Sequence, residues 1–143
     1  MGGEPGRVMG IDYGRRRVGI ALSDPLRVLA RGGGTIANGP GLLDELGAII
    51  RQEEVVRIVV GMPYAPDGGL GAIGVEVQEF IAALRTAVAV PVETWDESFT
   101  SVKAQQSFIE TGMKKKHRRQ KGRIDEMAAR LLLQDYLENG HQH

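Results

Sequence analysis

Three places in this 143-residue sequence put carboxylates where a structural element should end. Asp12 closes the apolar run of residues 8–11 and is followed by a turn that holds Gly14 and three consecutive arginines, Arg15, Arg16 and Arg17. Asp96 and Glu97 follow a β-branched run at residues 88–94, with Thr100 and Ser101 just beyond. Asp125 opens a long amphipathic pattern, directly after a one-sided basic run. That run, residues 113–123, contains Lys114, Lys115, Lys116, Arg118, Arg119, Lys121 and Arg123 with no acid, seven of the chain's eighteen lysines and arginines. Carboxylates are hard oxygen donors for ions such as Mg²⁺ and Mn²⁺, and clustered cations neutralise phosphates. Acids at element ends beside cationic loops are therefore what phosphoryl-transfer chemistry on divalent ions requires. Each stretch also has a plainer explanation. Asp before a glycine-containing turn serves the turn itself, acids and hydroxyls suit a helix N-terminus, and a charge run can be a solvated loop.

Positioning these groups falls to elements whose periods are readable. Val18, Ile20 and Leu22 alternate with Gly19, Ala21 and Ser23, the signature of a half-buried strand, and residues 8–11 supply its hairpin partner. Residues 28–36 return as a third strand, weakened into irregularity by Gly32, Gly33 and Gly34. Leu42, Leu43, Leu46, Ile49 and Ile50 then keep helical spacing, predicting an amphipathic helix from Gly41 to about Glu53. Residues 55–60 read as a buried parallel strand ended by Gly61, Met62 and Pro63. Residues 61–74, with five glycines and two prolines, read as a long loop in which Asp67 is a turn residue. No lysine follows the glycines, so the loop is not a nucleotide-binding P-loop. Val77, Phe80, Ile81 and Leu84 predict a second helix over residues 75–87, and Pro91 puts the strand at 88–94 on a sheet edge. A short helix capped by Thr100 or Ser101 precedes the last one, whose inner face is Ile124, Met127, Ala128, Leu131, Leu132 and Tyr136, ending near Gly140. Ala128 and Ala129 are small enough to let the turn carrying Asp125 approach a sheet closely.

This order predicts an α/β domain: an antiparallel three-strand meander followed by right-handed parallel crossovers, in a mixed five-stranded sheet flanked by helices. With the first strand central, Asp12 and the strand end at Glu97 fall on one side of the sheet, where the last helix can deliver Asp125. Residues 1–143 are the length of a single domain, with a core over roughly 7–138. Hydrophobic residues make up 42% and charged residues 25%, a globular balance with no apolar run long enough for a membrane span and no signal peptide. A cytosolic location without membrane attachment is expected. The chain has no cysteine and only three histidines, so any metal should be hard and oxygen-bound, and zinc is disfavoured. Formal net charge is zero, so nucleic-acid binding must rest on local clustering.

The chain resembles the YqgF/RuvX family of RNase H-like nucleases, described as Holliday junction resolvases and as pre-16S rRNA nucleases. The resemblance runs from about residue 8 to residue 138 and rests on four ordered motifs. GIDYG followed by RRVGIALSDP matches the amino-terminal pattern, and GMPYAPDG matches the central loop ending in DG. Asp96-Glu97-Ser98-Phe99-Thr100-Ser101 matches the DER-type segment followed by hydroxyls, and residues 121–129 match the closing K-G-x-[VI]-D-x-x-A-A pattern. The resemblance implies an RNase H-like fold in which Asp12, Glu97 and Asp125 hold one or two Mg²⁺ or Mn²⁺ ions and cleavage leaves 5′-phosphate and 3′-hydroxyl ends. Arg15, Arg16 and the basic run would meet RNA or DNA, and Asp67, Asp96 and Thr100 would support the site from outside the three acids. Ser98 stands where the family usually has arginine, which removes one expected phosphate or structural contact. Two other classes compete. A nucleic-acid-binding adaptor with a degenerate site needs only the basic run. An actin-like phosphotransferase shares the D-x-G hairpin but needs two such domains, and this chain has room for one. Resolution of a branched DNA would call for a homodimer with two sites, whereas trimming a precursor RNA needs one.

Overall fold

A computed structural model describes the backbone of residues 6–64, 67–96 and 121–140, and the side chains of all of these except residues 121–124. In chain order the elements are β1 (Arg7–Asp12), β2 (Arg17–Ser23), β3 (Ala30–Ala37), α1 (Leu42–Gln52), β4 (Val55–Met62), α2 (Ala72–Ala87), β5 (Val92–Asp96) and α3 (Lys121–Asn139). The strands form one sheet in the order β3-β2-β1-β4-β5. β1, β2 and β3 are the expected antiparallel meander, while β4 and β5 run parallel to β1. The short helix expected after Thr100 lies outside the described residues. Among the described residues no helix is long and apolar enough to cross a membrane.

Period-2 alternation divides the sheet into two faces. Met9, Ile11, Val18, Ile20, Leu22, Ile58 and Val60 point to the face covered by α1 and α2, where Leu42, Leu46, Val77, Phe80, Ile81 and Leu84 complete a core. Val8, Ala21 and Val59 point the other way, against Ala129, Leu133, Tyr136 and Leu137 of α3. The central strands are thus covered on both faces, which is why residues 58–62 of β4 are buried without interruption.

β3 is an eight-residue edge strand, and the expected irregularity falls at its glycines: the register against β2 shifts between Gly32 and Thr35, where Gly34 takes φ +91. α3 sits directly on this strand, since a Cβ at Gly32 would come within 2.6 Å of the Glu126 carboxyl carbon. Other boundaries differ from the sequence expectation. β5 starts at Val92 rather than Val88, since the Val88 amide instead caps α2 by donating to the Leu84 carbonyl at 3.0 Å. Pro91 cannot donate, but its carbonyl accepts from Ile58 at 2.9 Å, and β5 does form a sheet edge. At the other end of the expected loop, β4 continues through Gly61 and Met62 and α2 begins at Ala72.

The α3 face of the sheet is paved with small residues. A side chain at Gly10 would come within 2.8 Å of the Leu133 Cβ, and one at Gly19 would strike the Asp125 carbonyl. Substituting Gly19→Ala should therefore destabilise the protein by about 1–3 kcal/mol, because backbone cannot yield as a flexible side chain can. Gly39→Ala, where a Cβ would meet nothing within 4 Å, should stay within about 0.5 kcal/mol of the parent. Urea unfolding at unchanged m-value measures both.

Candidate active site

Asp12 is the last residue of β1, and its partner across the β1–β2 ladder is Gly19. Directly opposed antiparallel residues have Cα atoms roughly 4.5–5.5 Å apart, so the Asp125 backbone seated over Gly19 lies above the sheet near the end of β1. Asp12 also has the alternation of Val8 and Gly10, which face α3. The N-terminal part of α3 thus brings Asp125 to the face of the sheet that Asp12 shares.

That part of α3 is fastened at Asp125 and at Glu126. The Arg17 Nε donates to the Asp125 Oδ2 at 3.2 Å, with both side chains partly exposed. Next to it, the Glu126 carboxylate accepts the Gly34 amide at 2.6 Å. Further along, Gln134 accepts the Ala30 amide at 2.8 Å, and Tyr136 contacts Trp95 edge-to-face while its hydroxyl donates to Glu93 at 3.2 Å. Arg57 donates to the same hydroxyl at 3.2 Å and pairs with Glu93 at 3.0 Å. The hydrogen bond to Tyr136, more than the nearby charges, raises the Arg57 pKa.

The arginine turn separates its three cations. Arg15 reaches toward α2, where Nε and a terminal nitrogen lie 2.9 and 2.8 Å from one Glu76 oxygen. Arg17 points to α3, and Arg16 is exposed. Asn38, just past β3, braces the turn by donating its amide to the Arg16 carbonyl at 2.9 Å and its side chain to the Gly14 carbonyl at 2.8 Å. Tyr13 packs on Phe80 with ring centroids 5.2 Å apart, anchoring the turn to the α1–α2 core.

The remaining sequence candidates are placed unevenly. Asp96 is the last residue of β5, level with Met62, and alternation gives it the face of Val92 rather than that of Asp12. Trp95 takes the α3 face, donating to Asp135 at 2.7 Å. Asp67 is exposed and accepts the Gly69 amide at 2.8 Å, serving its own turn. Lys121 and Arg123 lie in the first turn of α3, whose backbone alone is described. Glu97, Thr100, Lys114, Lys115, Lys116, Arg118 and Arg119 lie outside the described residues. Among the described residues no group of three histidine, cysteine or acidic side chains gathers as a metal site. Of the acids expected at the site, Asp125 has its backbone on Gly19, the cross-strand partner of Asp12. Sequence reasoning passed over Arg17, Glu126 and Glu76. Arg17 alone had a usable signal, since it shares the strand parity of Gly19 and Ala21.

A profile of the RuvX family, described as Holliday junction resolvase, matches residues 6–139. The chain belongs to the RuvX family. A relative from Roseiflexus, named "Putative pre-16S rRNA nuclease", is 41% identical over 97% of this chain and 99% of its own length. A second of the same name, from Halothermothrix orenii, is 40% identical over 92% of this chain and 94% of its own. Among solved structures, Thermus thermophilus RuvC in complex with a Holliday junction substrate aligns with a TM-score of 0.60 at 17% identity, covering 94% of this chain and 96% of that one. The fowlpox virus resolvase with its junction DNA aligns at 0.55 and 11% identity, covering 95% and 99%. This RuvX-family chain therefore has the RNase H-like fold of the RuvC-type resolvases.

The seat of α3 yields a direct test. Glu126→Ala removes the acceptor for the partly buried Gly34 amide and should cost about 1–3 kcal/mol, whereas Glu126→Gln keeps an oxygen there and should cost less. Urea denaturation of the two variants separates these outcomes.

Proposed function

We propose that this chain is a metal-dependent nuclease acting on phosphodiester bonds, with Asp12, Glu97 and Asp125 as its ion-holding and catalytic acids. The observation that carries the reading is the seat of α3 on Gly19, which sets Asp125 beside Asp12 at the end of a central strand. Asp96 has the face of Val92 rather than that of Asp12, which is why Glu97, the acid that the DER-type motif points to, is preferred as the third acid. The donor chemistry fits hard ions: the described acids offer carboxylate oxygens, and the chain contains no thiol. When bound, one or two Mg²⁺ or Mn²⁺ ions would supply Lewis-acid activation of water and stabilise the leaving oxygen.

The protein's own side chains do the rest. Asp12 and Asp125 would offer oxygens from two different elements, the second seated by its backbone on Gly19. Arg15, Arg16, Lys114, Lys115, Lys116, Arg118, Arg119, Lys121 and Arg123 would bind the phosphate backbone. Asp67, Asp96 and Thr100 would act at most as supports. The names of the relatives favour pre-16S rRNA as substrate, for which the step would be 5′-end maturation in the cytoplasm, and the family description favours branched DNA. A homodimer would be needed for the second, because two strands must be cut symmetrically.

Asp12→Asn, Glu97→Gln and Asp125→Asn should each abolish cleavage of RNA or four-way-junction DNA while leaving circular dichroism unchanged, since each removes a charge and little volume. Parent-like turnover by any two of them would end the assignment. Metal-independent binding without cleavage in the parent would point to an adaptor instead.

Replacing Lys115, Lys116 and Arg118 together with alanine should weaken RNA and DNA binding about equally. The slope of log K against log salt should flatten by roughly 0.7–0.9 for each phosphate that is no longer neutralised. Anisotropy across a salt series on an Asp12→Asn background reads this out, and an unchanged slope would remove the run from the substrate path.

A further inference from the structure

Of the three arginines in the β1–β2 turn, Arg17 is held where an incoming cation would have to act. It begins β2 on the α3 face, two residues before Gly19, and its Nε donates to Asp125 Oδ2 at 3.2 Å. The carboxylate proposed to hold a divalent ion therefore carries a protein cation instead. The Arg17 and Asp125 side chains retain 33% and 26% of their exposure, and partly exposed pairs of this kind are held weakly enough to exchange. Arg15 is committed to Glu76 on the opposite side of the turn, and Arg16 points to solvent, so Arg17 is the cation that the fold assigns to this acid.

We propose that Arg17 is a positioning residue for Asp125: a built-in counter-ion that holds the carboxylate when no metal is bound and that a divalent ion must displace. Without it, a carboxylate beside Asp12 would face like charge across the sheet. With it, the acid is kept in place and its metal affinity is set below its maximum. A unit charge about 6 Å from a dication shifts affinity roughly tenfold even at the dielectric constant of water. Metal loading thereby becomes an exchange of one cation for another rather than an addition, which raises the metal concentration at which the site fills.

The inference rests on Asp125 being a metal ligand, and one titration series separates the two claims. Mn²⁺ binding to the full chain, followed by the loss of its free-ion electron paramagnetic resonance signal, is compared for the parent, Arg17→Gln, Arg17→Lys and Asp125→Asn. Arg17→Gln should bind about tenfold more tightly, Arg17→Lys should stay near the parent because it keeps the charge, and Asp125→Asn should bind far more weakly. Weak binding by Asp125→Asn with unchanged or weaker binding by Arg17→Gln would overturn the counter-ion and leave the metal site standing. Parent-like binding by Asp125→Asn would overturn both. Should Arg17→Gln fail to fold, the Arg17 Nε–Hε resonance of the parent gives the answer: it should move during a Mg²⁺ titration, and a resonance that stays fixed to saturation would overturn the proposal.

Discussion

The structure depends on how closely α3 lies on the sheet. Gly10, Gly19 and Gly32 stand on three adjacent strands, and at each a Cβ would collide with residues of the helix, from Leu133 at one end to Asp125 and Glu126 at the other. Helices pack on sheets through side chains, and the missing side chain at Gly19 lets the backbone of Asp125 itself approach the strand. The result is a close seat for the N-terminal part of α3 beside the end of β1.

Charge follows from that packing. With α3 close to the sheet, Asp125 comes within reach of Arg17 and Glu126 within reach of the Gly34 amide, so the two consecutive acids are satisfied in opposite directions. The far end of the helix is held by Trp95, Tyr136, Glu93 and Arg57. Asp125 and Glu126 are therefore positioned by groups of the protein itself.

Much of this was legible from sequence where a period was unbroken. β1, β2, α1 and β4 appear where alternation or helical spacing put them, the meander and the parallel crossovers follow, and Asp12 was recognisable as a strand-terminal acid. The glycines of β3 did mark an irregular strand, but sequence shows a missing side chain and not the helix that lies against Gly32. β5 was displaced by four residues since Val88 is as good a helix cap as a strand residue. Arg17 and Glu126 could not be assigned their partners at all: those contacts span 108 and 92 residues, and no local pattern encodes a separation of that size. Asp96 could not be placed from sequence either: only the pairing of β5 with β4 puts it on the face away from Asp12.

The central claim is that α3 delivers Asp125 to Asp12 to make one site for a hard divalent ion. Anomalous scattering from crystals soaked in Mn²⁺ tests it most directly. The account predicts a peak in contact with carboxylate oxygens of both Asp12 and Asp125, at the roughly 2.0–2.2 Å typical of small divalent ions on oxygen. A peak bound to neither acid, or no peak at a metal concentration that saturates binding in solution, would contradict it.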